Sequence, residues 1–137
     1  METVVTLFAD GGIKGGNPGG FGYGSFVVPR NDGVYPQRER LRFGHEYRGF
    51  PMTNIIAECL ACIAAVHWIA ERTPRPARVV VMCDCRWVVS HFASKHGRSH
   101  RDHLTMLHKE WKTACAPIEY VAIQWHSRVN SVAMLGH

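Results

Sequence analysis

A chain of 137 residues has room for one domain around one hydrophobic core. With 46% hydrophobic and 20% charged residues its composition is that of an ordinary globular protein, and it lacks the run of about 18 apolar residues that marks a membrane-spanning helix. Sixteen Lys and Arg against eleven Asp and Glu leave a formal charge of +5, which is compatible with a polyanionic partner without requiring one.

Three strands open the chain. "TVVTLFAD", Thr3 to Asp10, alternates and is rich in β-branched residues. "GFGYGSFVVP", Gly20 to Pro29, is a second strand, and the turn signal "NDG" at Asn31 to Gly33 leads to a third, Glu39 to Tyr47. Short connections make the three an antiparallel meander. The period then changes: in 53–73, Ile55, Cys59, Ile63, Val66 and Ala70 recur at helical spacing, and Thr53 or Asn54 is placed to cap the helix. "VVVMCD", Val79 to Asp84, is a continuous apolar run suited to a strand buried on both faces. Helices over 85–95 and 99–115, a strand from Ile118 to Trp125 and a short helix over 128–135 complete the chain. The order βββαβααβα predicts an α/β fold: a five-stranded mixed sheet, three antiparallel strands followed by two parallel ones, with helices on both faces, in a single domain over 1–137.

Five cysteines, Cys59, Cys62, Cys83, Cys85 and Cys115, are an odd set in a chain with no basic-then-apolar leader. They read as small core residues in a reducing, cytoplasmic setting rather than as a disulfide framework. His96, His100 and His103 have helical spacing suited to gripping zinc, but in "SKHGRSHRDH" they read as a solvated basic turn.

Asp10 and Asp84 each end a strand on this reading, and ligands gather at the carboxyl ends of strands in an open α/β sheet. Glu58 lies in the first or second turn of the long helix, at the edge of its buried stripe. Three acids meeting at one point repel one another unless a divalent cation joins them, and oxygen-only donors select Mg²⁺ or Mn²⁺. The alternative from the residues alone is that Asp10 and Asp84 serve turns or caps and Glu58 is exposed.

"FADGGIKGGNPGGFGYG", "TNIIAE" and "VVVMCDCRWVV" resemble, in order and spacing, the ribonuclease H type 1 family, and the element order matches over essentially the whole chain. The resemblance implies a metal-dependent endonuclease that hydrolyses the RNA strand of RNA/DNA hybrids with two ions, Mg²⁺ or Mn²⁺. One ion activates water and the other stabilises the leaving 3′ oxygen, so that 5′-phosphate and 3′-hydroxyl ends result. It implies Asp10 as the ligand shared by both ions, with Glu58 and Asp84 on either side. It further implies Gly11 and Gly12 as points of close substrate approach, Asn17 and Asn54 as contacts to the hybrid's wide minor groove, and Thr53 as part of a pocket for a DNA-strand phosphate. Arg86 stands where Gln is common and retains the capacity to bind phosphate. No membrane contact and no obligatory protein partner is indicated.

The departures from the pattern are local. Ile55 replaces a groove-contacting Asn. In "WHSRVNSVAMLGH", Trp125, Arg128, Asn130 and Ala133 fit the family's ending, but Met134 falls where a fourth acid belongs, and a thioether is a poor ligand for Mg²⁺. Either three carboxylates suffice, or Asn130 or His137 substitutes, or the protein is a weak or inactive nuclease that binds nucleic acid. A related nuclease for another nucleic acid is the third alternative. His126, where the family has a hydrophobic strand residue, reads as a strand-end surface histidine, with a proton shuttle as the alternative.

Overall fold

The structure is a computed structural model, and it describes residues 4–29, 38–72 and 74–127. Its main sheet has the order β3-β2-β1-β6-β7. Strands β1 (Val4–Lys14), β2 (Phe21–Val27) and β3 (Arg38–Gly44) form the antiparallel meander, while β6 (Arg78–Cys83) and β7 (Tyr120–Trp125) run parallel to β1. Two-residue strands β4 (Glu46–Tyr47) and β5 (Phe50–Pro51) pair separately. Three helices are described: α1 (Asn54–Ala70), α2 (Arg86–Ala93) and α3 (Asp102–Cys115). The mixed sheet and the α/β class agree with the sequence reading; the final helix expected over 128–135 lies outside the described residues.

Two boundaries differ from expectation for physical reasons. β1 does not stop at Asp10. Its parallel ladder with β6 ends at Ala9↔Cys83, but its antiparallel ladder with β2 continues to Lys14↔Phe21. Asp10 therefore marks the point where β1 loses one neighbour, not the end of the strand. The third strand stops at Gly44, whose φ is +81°; the chain turns there and the next segment becomes the β4–β5 hairpin, turned by Arg48 and Gly49 at φ +49° and +86°.

Helix α1 is the keystone of the core. Thr53 caps it: extended at φ −126°, ψ 164°, its Oγ1 accepts the Ile56 N–H, satisfying one of the orphan donors of the first turn. The helix buries Ile56, Cys59, Ile63, Val66 and Ile69, but also the small residues Ala57, Ala61 and Ala65. Below this small-residue ridge Gly11 and Gly24 pair in register across β1 and β2. A Cβ on Gly11 would collide with the Ala57 backbone and lie 2.6 Å from Glu58 N, and one on Gly24 would lie 3.1 Å from the Ala61 Cβ. Glycine on the sheet and alanine on the helix thus let the α1 backbone settle directly onto the strands. That contact draws the second turn of α1, with Glu58, over Asp10.

Candidate active site

Ligand-capable oxygens of Asp10, Glu58 and Asp84 lie within 4.8 Å of one another, the one such metal-competent group among the described residues. Each comes from a different element: Asp10 from β1 just past its ladder with β6, Asp84 from the residue after β6, and Glu58 from the second turn of α1. Asp10 and Glu58 are each only 2% exposed. Burial, followed by its hydrogen bond with Asp10, raises the Glu58 carboxyl to about 12. The cation-free cluster therefore keeps a proton on Glu58, which then donates to Asp10. A divalent cation bound there would take the place of that proton, and the all-oxygen donor set suits a hard ion such as Mg²⁺ or Mn²⁺. Carboxylates without a metal are common on exposed surfaces; burial of two of the three is what distinguishes this cluster.

Cys83, missed in the sequence reading as anything but core, touches the cluster from below: its Sγ donates to Glu58 Oε2 at 3.7 Å. The only signal for it was its place next to Asp84 on the alternate, helix-facing side of β6. Cys59 and Cys62 are fully buried core residues as expected.

The remaining sequence-derived residues surround this centre. Asn17 and Asn54 meet, with Asn17 Oδ1 accepting the Asn54 N–H at 3.3 Å. Thr53 adjoins them and spends its hydroxyl oxygen on the helix cap. Gly11 makes room for α1, and Gly12 lies under the Tyr23 ring, whose Oη would be 2.6 Å from an added Cβ. Arg86, the first residue of α2, stacks its guanidinium 3.6 Å from the centre of the Trp125 ring, and Trp125 Nε1–H donates to the Asp84 carbonyl at 3.1 Å. The arginine is thereby held beside the carboxylates. Met134, Asn130 and His137 lie outside the described residues.

His126 departs from expectation. It is 6% exposed rather than at the surface. Its N–H donates to the Cys83 carbonyl at 3.0 Å and its ring meets Phe8 edge-on at 5.2 Å. Desolvation lowers its pKa, while the nearby charges of Asp84 and Asp10 act in the opposite direction. Extending the β6–β7 ladder by one bond beyond the strand pulls this residue inward, and the sequence shows no sign of that.

A protein-family model described as reverse transcriptase-like matches residues 38–134. The chain belongs to this family. The match spans Glu58 and Asp84, while Asp10 precedes it. No curated protein matches the sequence significantly. Among solved structures, the N-terminal RNase H domain of a Mycobacterium tuberculosis protein, solved as a fusion with maltose-binding protein, superposes with a TM-score of 0.77 at 20% identity, covering 97% of this chain and 88% of that one. RNase H1 of the halophilic archaeon Halobacterium salinarum gives 0.74 at 20% identity, covering 93% and 89%. LC11-RNase H1, isolated from compost and solved in complex with an RNA/DNA hybrid, gives 0.75 at 17% identity, covering 95% and 90%. This member of the reverse transcriptase-like family therefore has the ribonuclease H fold, as its motifs implied.

Proposed function

We propose that the chain is a metal-dependent endonuclease that hydrolyses the RNA strand of RNA/DNA hybrids and leaves 5′-phosphate and 3′-hydroxyl ends. The observation that carries this reading is the convergence of Asp10, Glu58 and Asp84 within 4.8 Å at the carboxyl edge of two parallel strands. The hybrid held by the similar LC11-RNase H1 supports the choice of substrate. Two divalent ions bound there would supply an activated water and neutralise charge on the leaving oxygen. The protein's own residues do the rest. Asp10 would serve both ions, and Glu58 and Asp84 would each hold one. Cys83 orients Glu58. Asn17 and Asn54, bonded to each other, face the minor groove, where 2′-hydroxyls distinguish RNA from DNA. Arg86, braced on Trp125, binds a phosphate.

The test is cleavage of end-labelled duplexes in Mg²⁺ and in Mn²⁺. The RNA of a hybrid is cut and a DNA/DNA duplex survives. Asp10→Asn abolishes cutting while the protein still folds, because a neutral amide cannot serve as the shared ligand. Cutting of duplex DNA at a comparable rate sinks the substrate claim, and activity of Asp10→Asn within about tenfold of the parent shows that Asp10 is not shared. Met134, at the sequence position of the fourth acid, favours a second reading, a nucleic-acid-binding module without catalysis. Hybrid binding with no cleavage in either metal, together with activity gained by Met134→Asp, establishes that reading instead.

A further inference from the structure

The outer edge of the main sheet carries a row of cations that the site described above does not use. Strand β3 is the last strand on its side of the sheet and pairs with β2 alone. Its side chains alternate between the two faces. Leu41 and Phe43 pack against the core. A Cβ on Gly24 would lie 3.0 Å from Phe43 Cε2 and 3.1 Å from the Ala61 Cβ, so theirs is the face that α1 covers. Arg38, Arg40 and Arg42 project from the opposite face, and all three are exposed. Guarding an open edge against another strand needs only a charge or two, on either face and of either sign. Here one face carries three arginines in succession, and Glu39, the acid of the strand, alternates onto the other.

The pairing register ties this row to the carboxylates. Asp10 pairs with Ser25, and Ser25 with Arg40; Gly12 pairs with Tyr23, and Tyr23 with Arg42. Residues directly opposite one another share a face. Asp10 and the arginines therefore belong to the same side of the sheet, two strand spacings or about 10 Å apart. Tyr23 bridges the interval, since its Oη would lie 2.6 Å from a Cβ added to Gly12. Lys14, exposed and on this same face of β1, has its Nζ 5.3 Å from the centre of the Tyr23 ring. The Arg42 guanidinium lies 5.2 Å from the centre of the Phe21 ring. Each ring narrows the freedom of its cation before a ligand arrives, which lowers the ordering cost of binding.

We propose that this face, through Arg40, Arg42 and Lys14, binds the phosphate backbone of a single-stranded tail that continues from the cut strand beyond the paired part of a hybrid. The proposal rests on the hybrid reading above. Two observations select an extended strand over a duplex. Along β3 the arginines recur at every second residue, about 7 Å apart in a nearly straight row. Successive phosphates of an extended strand can follow such a row, whereas those of a duplex wind away around its axis. The half-buried rings of Phe21 and Tyr23 lie among the cations, and cations interleaved with aromatic rings hold single strands without regard to sequence. Arg40 shares its cross-strand row with Asp10, so the tail belongs to the strand that lies over the carboxylates.

The experiment is a fluorescence anisotropy titration of the full chain, in chelator so that nothing is cut. The labelled probes are a blunt RNA/DNA hybrid, the same hybrid with a single-stranded RNA tail at either end in turn, and the tail RNA alone. The parent binds one tailed hybrid about fivefold or more tightly than the blunt one. Arg40→Gln combined with Arg42→Gln brings that ratio to within about twofold of unity and lowers the salt slope for the tail RNA by about 1.4, at about 0.7 for each phosphate of a single strand. Lys109→Gln combined with Lys112→Gln, on the exposed side of α3, removes the same charge and keeps the parent's ratio. Thermal melting checks each variant. Equal affinity of the parent for blunt and tailed hybrids overturns the proposal, and so does a parent-like ratio in the Arg40 and Arg42 variant. Loss of the ratio in the Lys109 and Lys112 variant assigns the effect to net charge and overturns it too. A chain that binds the tail RNA through Arg40 and Arg42, but neither binds any hybrid nor cuts one in Mg²⁺ or Mn²⁺, keeps the face and overturns the hybrid reading. A chain that binds none of the probes overturns both.

Discussion

Glu58 shows how much a single buried acid changes. Its carboxyl is raised from 4.5 to about 12 by burial, reinforced by Asp10. A carboxyl whose folded pKa exceeds its unfolded one favours the folded state only while protonated in both. The protein therefore loses stability as pH rises above 4.5, and at pH 7 the cost approaches about 3 kcal/mol. Glu58→Gln keeps the shape and the donor toward Asp10 but cannot ionise. Metal-free Glu58→Gln should thus melt above the parent at pH 7 and alongside it near pH 4. Mg²⁺ or Mn²⁺ should raise the melting temperature of the parent and leave the variant almost unmoved. A gap between the two proteins that stays constant from pH 4 to 8 refutes this account. The acid was legible in the sequence, since "TNIIAE" placed it in the first or second turn of its helix. Its depth of burial was not, because that depends on Gly11 and Gly24 pairing under Ala57 and Ala61, four residues from three elements.

At the scale of elements, α2 and α3 are joined by a histidine that no local pattern reveals. His91, fully buried, is held on both nitrogens: Nε2–H donates to the Leu104 carbonyl at 2.8 Å, and Nδ1 accepts the Arg98 N–H at 2.8 Å. His108 closes the same junction by donating to the Ser94 carbonyl at 2.7 Å, and its ring lies 5.3 Å from that of His91. Gly97 permits the turn. Its φ is +80°, and a Cβ there would lie 2.7 Å from His91 Cε1. Gly97→Ala should cost about 1–3 kcal/mol from the backbone conformation, with the collision added. Desolvation lowers the His91 pKa below 6.5, with His108 opposing the charge as well. A depressed pKa gives stability that is present above pH 6.5 and lost as pH falls through the folded value. Relative to His91→Phe, which already lacks both hydrogen bonds, the parent's urea midpoint should fall from pH 7 to 5, superposed on the opposite trend that Glu58 sets in both proteins. An equal slope in both proteins would place the acid sensitivity elsewhere. The sequence announced the two helices by their periodicity, but not this junction, which bonds histidine rings to backbone groups up to 14 residues away.

For the whole molecule, the order of strands and helices was readable because each hydrophobic period and turn signal is local, and the crossover rule then left few ways to join them. Where the strands end was less so, since β1 outlasts its parallel neighbour only because β2 continues beside it. Charge distribution is the property that belongs to no single element. The excess of +5 belongs to the chain as a whole, and its exposed cations around α2 and the start of α3 include Arg86 on Trp125, Lys95, Arg98 bonded through Nε to Ser90 Oγ at 2.6 Å, and Arg101. If these cations meet phosphates, hybrid binding releases counterions and weakens steeply with salt, by about 0.9 in the log–log slope for each phosphate neutralised on a B-form duplex. Changing all four residues to Gln should reduce that slope by about 2 or more and leave the melting temperature within a few degrees of the parent, because all four side chains are exposed. Measuring affinity across a salt series for both proteins decides the matter. An unchanged slope means that the hybrid meets a different set of cations.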